Sequence, residues 1–557
     1  MKKAWLLESF GVSLLLFGPF FFPLTFAGNI TLYHHRLQFR NMLSGILLDI
    51  IVFAALGTAM LFGLSRLPAL SKKIADAILA GVGVWLFLDC VFSLLAIGID
   101  TQKDDLTIGA IKIPYWYNFV VTWYLRREAL LIIVPVFFLL LAFVTVESFG
   151  SIVKAVRVLI AATAFNAIWM FPQLLYIAFG VHQVGPFDHS STQPNHAMKR
   201  RVIWVLFDEL SYDLVFDHQQ KERPLQRFQV LHSESVSFEN ITPMGTSTDR
   251  IIPSLLAGRP IYRIRSSPNG SLWYKEGTGL KWVQFDANET VFRVARDNGL
   301  SSGVVGWFNP YCRLFASILT SCYWEQGIQQ EMPVEGLGAS ASKSVVQNAL
   351  VIPVAMISQK SMRPQGAGDV TLRQNIEDYR SLMTQSEKMI RNPEIDFVFL
   401  HLPVPHPPGF FDSRTHQLCE CGNYLDNLVL ADDTLGVLMK DINETPWADE
   451  TTLIASSDHS WRVPIWKGTP GWTPEEESVT ADRVEPDMRP VFLVHFPHQN
   501  TGVDIKGPVP ERVEHDIIAS VLKGEIASPE ALGSFVERAD QSSALKQETP
   551  RQAVAGK

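Results

Sequence analysis

Five apolar stretches crowd the first 180 residues, at roughly 5–27, 42–64, 75–99, 129–148 and 157–179. Each is near the ~20 residues a helix needs to cross ~30 Å of hydrocarbon. The runs "SFGVSLLLFGPFFFPLTF" and "LLIIVPVFFLLLAFV" are the clearest. A cleaved signal peptide is the rival reading of the first stretch. It lacks a convincing small-residue cleavage site, and four more stretches follow it. Residues 1–180 are therefore expected to form a polytopic α-helical membrane domain of about five helices.

Charge divides the chain at the same place. Residues 1–180 hold 13 Lys/Arg against 9 Asp/Glu, whereas the remaining 377 hold 35 against 47. A slightly basic anchor is thus followed by an acidic, soluble-looking domain. The total of −8 argues against a nucleic-acid partner, whose basic footprint would show. Hydrophobic content of 47% is too high for a disordered chain and high for a wholly soluble enzyme.

Five crossings put the chain ends on opposite sides of the bilayer. Lys2 and Lys3 favour a cytoplasmic N-terminus, which leaves the soluble domain periplasmic or extracellular, on the inner (plasma) membrane. Arg66, Lys72 and Lys73 then fall inside, but Arg126 and Arg127 fall outside. Trp116–Tyr124 has the aromatic character of a membrane-interface segment. Asp49, Asp76 and Asp89 lie in or near spans, either as functional acids or as packed helix-end acids.

Residues 181–199 are polar with Gly and Pro and are expected to be a linker; 538–557 are expected to be a disordered tail. Between them, 200–537 contains short continuous apolar runs: "RVIWVLFDE", "SSGVVGWF", "IDFVFLHL", "TTLIASSD" and "PVFLVHFP". Such runs suit parallel strands buried on both faces. Helix-like stretches at 373–391 and 423–442 alternate with them, which predicts an α/β/α sheet. Ligands bind beyond the carboxyl ends of strands in these sheets. Asp208, His401 and Asp458 stand at or near three such ends.

Asp208 with Glu209, and Asp458 with His459, form a candidate divalent-metal site; solvated turns or caps are the alternative. In "PMGTSTDRIIPSLLAG", Thr246, Ser247 and Thr248 precede a helix-like stretch. A hydroxyl there is either an N-cap or a nucleophile activated by a metal ion. His401 reads as a core histidine, and His406, between prolines, as a substrate-contacting or proton-donating one. Five cysteines are too few for a disulfide scaffold. Outside the cytoplasm Cys312 and Cys322 are the preferred pair; Cys419 and Cys421 form a CxC, and Cys90 falls in a span.

Taken in order, these blocks resemble the alkaline phosphatase/sulfatase superfamily. The layout is similar to that of the membrane phosphoethanolamine transferases and lipoteichoic acid synthases, with five helices before an extracytoplasmic catalytic domain. "GTSTDRIIP" resembles the transferases' nucleophile block, in which the threonine lies five residues before a proline, as Thr248 does before Pro253. "LFDELSYD" resembles the first metal motif, with Asp208 where the transferases have Glu and Glu209 as a second ligand. "FLHLPVPHPP" maps the substrate histidine to His406, and "ASSDHS" maps the late metal pair to Asp458 and His459.

The resemblance implies a sulfatase-like (alkaline phosphatase-like) domain that transfers a phospho group through Thr248. It implies metal ligands Asp208, Thr248, Asp458 and His459, with Zn or Mn as the ion, a membrane lipid as donor and a lipid or glycan as acceptor. Two departures stand out. The sulfatase C/S-x-P-S-R motif is absent, so sulfate-ester hydrolysis through formylglycine is not expected. The transferases' histidine after the Asp-His pair is missing, and Arg462 and Lys467 are the expected phosphate contacts. An extracytoplasmic phosphodiesterase or phosphatase, and a catalytically inactive envelope-assembly protein, are the rival functions.

Overall fold

The computed structural model describes residues 2–25, 39–96, 99–100, 105–108, 111–114, 130–142, 149–180, 184–190, 200–219, 221–266, 271–276, 281–325, 346, 368–469, 471–481 and 487–547. The chain separates into two compact units, one built mainly of Met1–Gln183, the other beginning at Val184.

The N-terminal unit is mainly helical, with Lys2–Thr25, Phe39–Leu64, Ala69–Ala96, Leu130–Ala142, and Phe149–Thr163 continued by Ala167–Gly180, and it also holds a small antiparallel sheet of Ile99–Asp100, Asp105–Ile108 and Ile111–Pro114. Among the described residues, Leu43–Leu64, Ala69–Phe92 and Phe149–Tyr176 are long and apolar enough to cross a membrane. Trp5–Gly18 and Leu130–Ala142 are shorter apolar helices. Arg157 pairs with Glu8 at 2.8 Å and approaches Asp76 at 3.9 Å, so these three charges meet opposite charges within the apolar unit. Cys90 is a buried free thiol. The aromatic segment Trp116–Tyr124 lies outside the described residues.

The C-terminal unit is organised by a nine-stranded sheet. Its strands are β1 (Phe187–Asp188), β2 (Arg201–Asp208), β3 (Val236–Phe238), β4 (Ser302–Trp307), β5 (Ser321–Glu325), β6 (Phe397–Pro405), β7 (Thr451–Ser457), β8 (Phe492–His495) and β9 (Val503–Ile505). They lie side by side in the order β9-β3-β8-β7-β2-β6-β4-β5-β1. The centre, β7-β2-β6-β4-β5, is parallel.

Every residue of β2 is buried, and successive side chains alternate between faces. Two cores result. Ile203, Val205 and Phe207 join the first with Val398, Leu400 and Leu402, beneath the helices Gly368–Ile390 and Tyr424–Asn443. Val202, Trp204 and Leu206 join the second with Phe397 and Phe399, beneath Thr248–Ala257, Val291–Asp297 and Val513–Lys523. Burial on both faces explains why the runs are continuously apolar.

Three expectations need correction. The run at 490–497 forms β8, which is antiparallel to β7, not parallel. Burial on both faces produces the same apolar run whichever way a strand points. The stretch expected as a linker contains β1, which pairs with Ser321 and Cys322 of β5 at the sheet edge. The tail expected to be disordered from 538 is helical as far as Gln547, the end of Pro529–Gln547. Its Ala, Leu, Glu, Lys and Gln residues are good helix formers, so polarity alone misread it.

Candidate metal centre and nucleophile

Residues 204, 206 and 208 of β2 share the face of the second core, and register extends that face to its neighbours. Ser456 lies opposite Leu206 on β7, and His401 lies opposite it on β6. Two residues on, Asp208 ends β2 and Asp458 follows β7. The parallel centre therefore delivers Asp208, His401, Asp458 and His459 to one edge, all 0% exposed.

Asp208, Asp458 and His459 each offer a ligand atom within 4.8 Å of the others. His459 Nε2 lies 3.1 Å from Asp458 Oδ2 and 4.0 Å from Asp208 Oδ1. Its Nδ1–H donates to the Ser460 carbonyl at 3.0 Å, which turns Nε2 toward the acids. Asp458 Oδ1 accepts the Glu209 and His459 backbone N–H groups at 3.1 and 2.9 Å. Burial opposes the Asp458 charge, but His459 outweighs it and holds the carboxyl well below the usual carboxylate range. Burial would lower the His459 pKa; Asp458 instead raises it to about 9. A divalent cation would take the place of that proton.

The donor set fits such a cation. Among the described residues neither Asp208 oxygen has a hydrogen-bond partner, and Asp458 Oδ2 meets only His459 Nε2, at 3.1 Å. Uncompensated buried carboxylates cost several kcal/mol, and a cation offsets that cost.

Thr248 opens the Thr248–Ala257 helix, with Ser247 as its N-cap residue. Thr248 is therefore not the cap. Ser247 does not cap through its side chain either; its hydroxyl is bound to the Asp249 carboxylate. Thr248 Oγ1 lies 3.2 Å from His459 Nε2 and is buried, at the positive end of the helix. Of the three hydroxyls in the block, this one reaches the acid–imidazole cluster.

Glu209 has a left-handed backbone, φ +65°, which turns the chain sharply after β2. The two consecutive acids consequently meet different partners. Glu209 binds Arg462 Nε at 2.6 Å and Trp466 Nε1 at 3.0 Å. Burial opposes its ionisation, and Arg462, then His406 and His459, outweigh it and lower its pKa. Glu209 thus comes within reach of Asp208 and His406 as a possible ligand group, but its carboxylate is already paired with Arg462.

Arg462 also donates to the Thr246 carbonyl at 3.2 Å and to His406 Nε2 at 3.1 Å. His406 is wedged between Trp307 and Trp466, with ring centroids 5.3 and 5.4 Å away. Its loop is held by Asn427, whose Nδ2 donates to the His406 carbonyl at 3.1 Å. Lys467, by contrast, is not brought into the cluster. The short helix Val463–Trp466 ends just before it, and its ammonium pairs with Glu477 at 2.7 Å on the surface.

Cys312 is joined to Cys322, and Cys419 to Cys421. Sequence reasoning missed Asn427, Trp466, Tyr311 and Glu511. Their contacts cross the chain, and nothing in their local spacing marks them.

Glu511 lies behind the nucleophile loop, fully buried, with its carboxylate accepting the Met244 N–H. Burial, reinforced by Asp458, pushes its pKa up to about 8. An acid raised in this way stabilises the fold fully below its unfolded pKa, and that stability is lost as pH rises through 8. Glu511→Gln keeps an acceptor for Met244 and cannot ionise. Its melting temperature should exceed the wild type's at pH 8.5 and nearly match it at pH 5. An equal difference at both pH values would show that Glu511 does not titrate in this range.

Four blocks far apart in the chain meet at one edge of the sheet: the strand-end Asp208, the helix opened by Thr248, the His406 loop and the Asp458–His459 pair. The C-terminal unit is an α/β/α fold built on a mixed nine-stranded sheet, with this cluster at the carboxyl ends of its parallel strands.

No protein-family model matches the sequence, and no curated protein matches it. Solved structures of similar fold include a sulfatase from Pseudoalteromonas sp., 14% identical over 58% of this chain and 68% of that one, with a TM-score of 0.39. The lipoteichoic acid synthase LtaP from Listeria monocytogenes is 14% identical over 60% of this chain and 75% of that one, with a TM-score of 0.34. A protein in the alkaline phosphatase superfamily from Vibrio parahaemolyticus is 13% identical over 59% and 67%, with a TM-score of 0.33.

Proposed function

We propose that the protein is a membrane-anchored, metal-dependent phospho-group transferase that uses Thr248 as nucleophile on lipid head groups or envelope glycans. The observation that carries this reading is the 3.2 Å approach of Thr248 Oγ1 to His459 Nε2, beside buried acid oxygens that lack partners. Asp208, Asp458, His459 and Thr248 would hold the ion, and their mixed oxygen and nitrogen donors suit Zn or Mn. Such an ion supplies Lewis acidity that favours the threonine alkoxide at neutral pH.

Thr248 Oγ attacks the head-group phosphorus. Its bond to phosphorus forms as the bond from phosphorus to the lipid glycerol oxygen breaks, and that oxygen leaves with a proton. An acceptor hydroxyl then attacks the phosphothreonine, gives up its proton and releases Thr248. Arg462 and His406, adjacent at 3.1 Å, form the pair that contacts the phosphoryl oxygens. Glu209, which accepts from Trp466 Nε1, holds Arg462 in place.

Intact-mass analysis after exposure to phospholipid vesicles tests the reading. The expected result is a phosphate-containing adduct on the peptide spanning Thr248, and failure to trap one under any acceptor-free condition overturns the covalent step. Product analysis then separates transfer to a lipid or glycan from hydrolysis by water.

The reading also includes a multi-pass anchor in the inner (plasma) membrane with the catalytic unit on the periplasmic or extracellular side. Lys2 and Lys3, the five apolar segments and two disulfides support it. A reporter active only outside the cytoplasm, fused after residue 540, should be active. Activity of a cytoplasm-only reporter at that position would reverse the topology.

A further inference from the structure

We propose that Tyr311 and His401 form a positioning relay that decides which oxygen of Asp208 faces the metal ion. This rests on the assignment of Asp208 as a ligand. The Tyr311 hydroxyl lies 2.8 Å from His401 Nδ1, and His401 Nε2 lies 3.6 Å from Asp208 Oδ2. The other Asp208 oxygen, Oδ1, is the one that approaches His459. The carboxylate thus stands between two imidazoles, one on each oxygen.

The tautomer follows from the partners. The Tyr311 hydroxyl can donate to His401 Nδ1 or accept from it, so the carboxylate decides: with Asp208 Oδ2 facing Nε2, we assign the hydrogen to Nε2, and Nδ1 then accepts from the phenol. Among the described residues that buried nitrogen has no hydrogen-bond partner, and neither Asp208 oxygen accepts a hydrogen bond. A buried donor and a buried acceptor, each without a partner and 3.6 Å apart, satisfy one another with a small rotation of the carboxylate. In the opposite tautomer a lone pair would face a carboxylate oxygen, which is repulsive. Once His401 holds Oδ2, Oδ1 is left as the oxygen offered to the cluster.

The relay is anchored. Tyr311 is fully buried, and its ring occupies the space over Gly306, where a Cβ would come within 2.2 Å of it. Gly306 is the register partner of His401 on β4. The next residue, Cys312, is bound to Cys322 on β5. Phenol, imidazole and carboxylate therefore sit on the short helix Tyr311–Leu314 and on two adjacent parallel strands, β6 and β2, with Gly306 of β4 making room for the phenol ring.

The test uses the full-length protein in detergent, stripped by chelation and titrated with Mn2+ while binding is followed by calorimetry. Loss of an outer partner of a metal ligand typically weakens binding ~10–100-fold. Tyr311→Phe should bind ~10-fold more weakly, and His401→Ala more weakly still. His401→Gln should recover most of the loss, because its amide can donate to Asp208 Oδ2. Wild-type affinity in both Tyr311→Phe and His401→Ala overturns the relay. Equal losses in His401→Gln and His401→Ala also overturn it, and His401→Leu, which fills space without a donor, should lose as much as His401→Ala; a leucine variant that binds like His401→Gln shows a merely space-filling histidine. Asp458→Asn is measured alongside: if it too binds like the wild type, the ligand assignment itself fails, and the relay falls with it.

Discussion

Thr248→Ala is expected to slow turnover ~10³-fold or more while metal content and fold persist. A threonine hydroxyl is a weak nucleophile at neutral pH, and its reactivity here depends on the neighbouring ion and helix terminus. Deleting it removes the atom that forms the bond to phosphorus. A loss of ~4 kcal/mol of transition-state stabilisation corresponds to that slowing. Asp208, Asp458 and His459 remain to hold the ion, so metal analysis at saturating ion should still find it bound, with a lower affinity that reflects the lost threonine oxygen. Thr246→Ala should matter far less, because Thr246 meets Arg462 through its backbone carbonyl. Ser247→Ala should also be mild, since that hydroxyl is bound to Asp249. Near wild-type turnover by Thr248→Ala, measured on a phospholipid donor with head-group release as readout, would eliminate this mechanism.

Asp458→Asn should abolish the stabilisation conferred by divalent metal. The substitution preserves shape, and its amide oxygen can still accept the Glu209 and His459 N–H groups that Asp458 Oδ1 accepts. It removes one of the two negative charges, Asp208 and Asp458, that face His459 Nε2. A ligand at 100 times its Kd stabilises a protein by about 2.7 kcal/mol. The wild-type melting temperature should therefore rise by several degrees when metal replaces chelator. That of Asp458→Asn should not move, and its turnover should fall with its metal content. An unchanged metal-dependent shift in the variant would place the ion elsewhere.

The parts of this site that the sequence reveals are those fixed by strand ends. Asp208 and Asp458 follow continuous apolar runs, and a buried parallel strand announces itself in that way. Thr248 is visible because a hydroxyl block precedes an amphipathic helix. What remains hidden depends on pairings across the chain. Glu209 reads as a second ligand because it adjoins Asp208, yet its left-handed backbone and the arginine 253 residues away give it another partner. Lys467 reads as a phosphate contact because it follows Arg462, but a four-residue helix intervenes and Glu477 captures it. His401 reads as a core residue, and it is one by burial. Its meaning comes from Tyr311 on one side and Asp208 on the other, which no spacing rule brings together. Strand direction is equally silent, as β8 shows.

The two cores on either side of the sheet bear on how this sequence can change. Deleting one residue inside β2 would exchange the faces of every position beyond it. Trp204, Leu206 and Asp208 would trade places with Val205 and Phe207, sending a carboxylate into an apolar layer and a phenylalanine to the site. A length change inside β2 would therefore disturb the packing and the acid–imidazole cluster together. β6 shows where an irregularity is tolerated: its register with β2 shifts between Leu402 and Pro405, at the end that leads into the His406 loop. Changes in chain length are thus easiest to absorb at the edge of the sheet where the cluster sits, and hardest in the strands that support it.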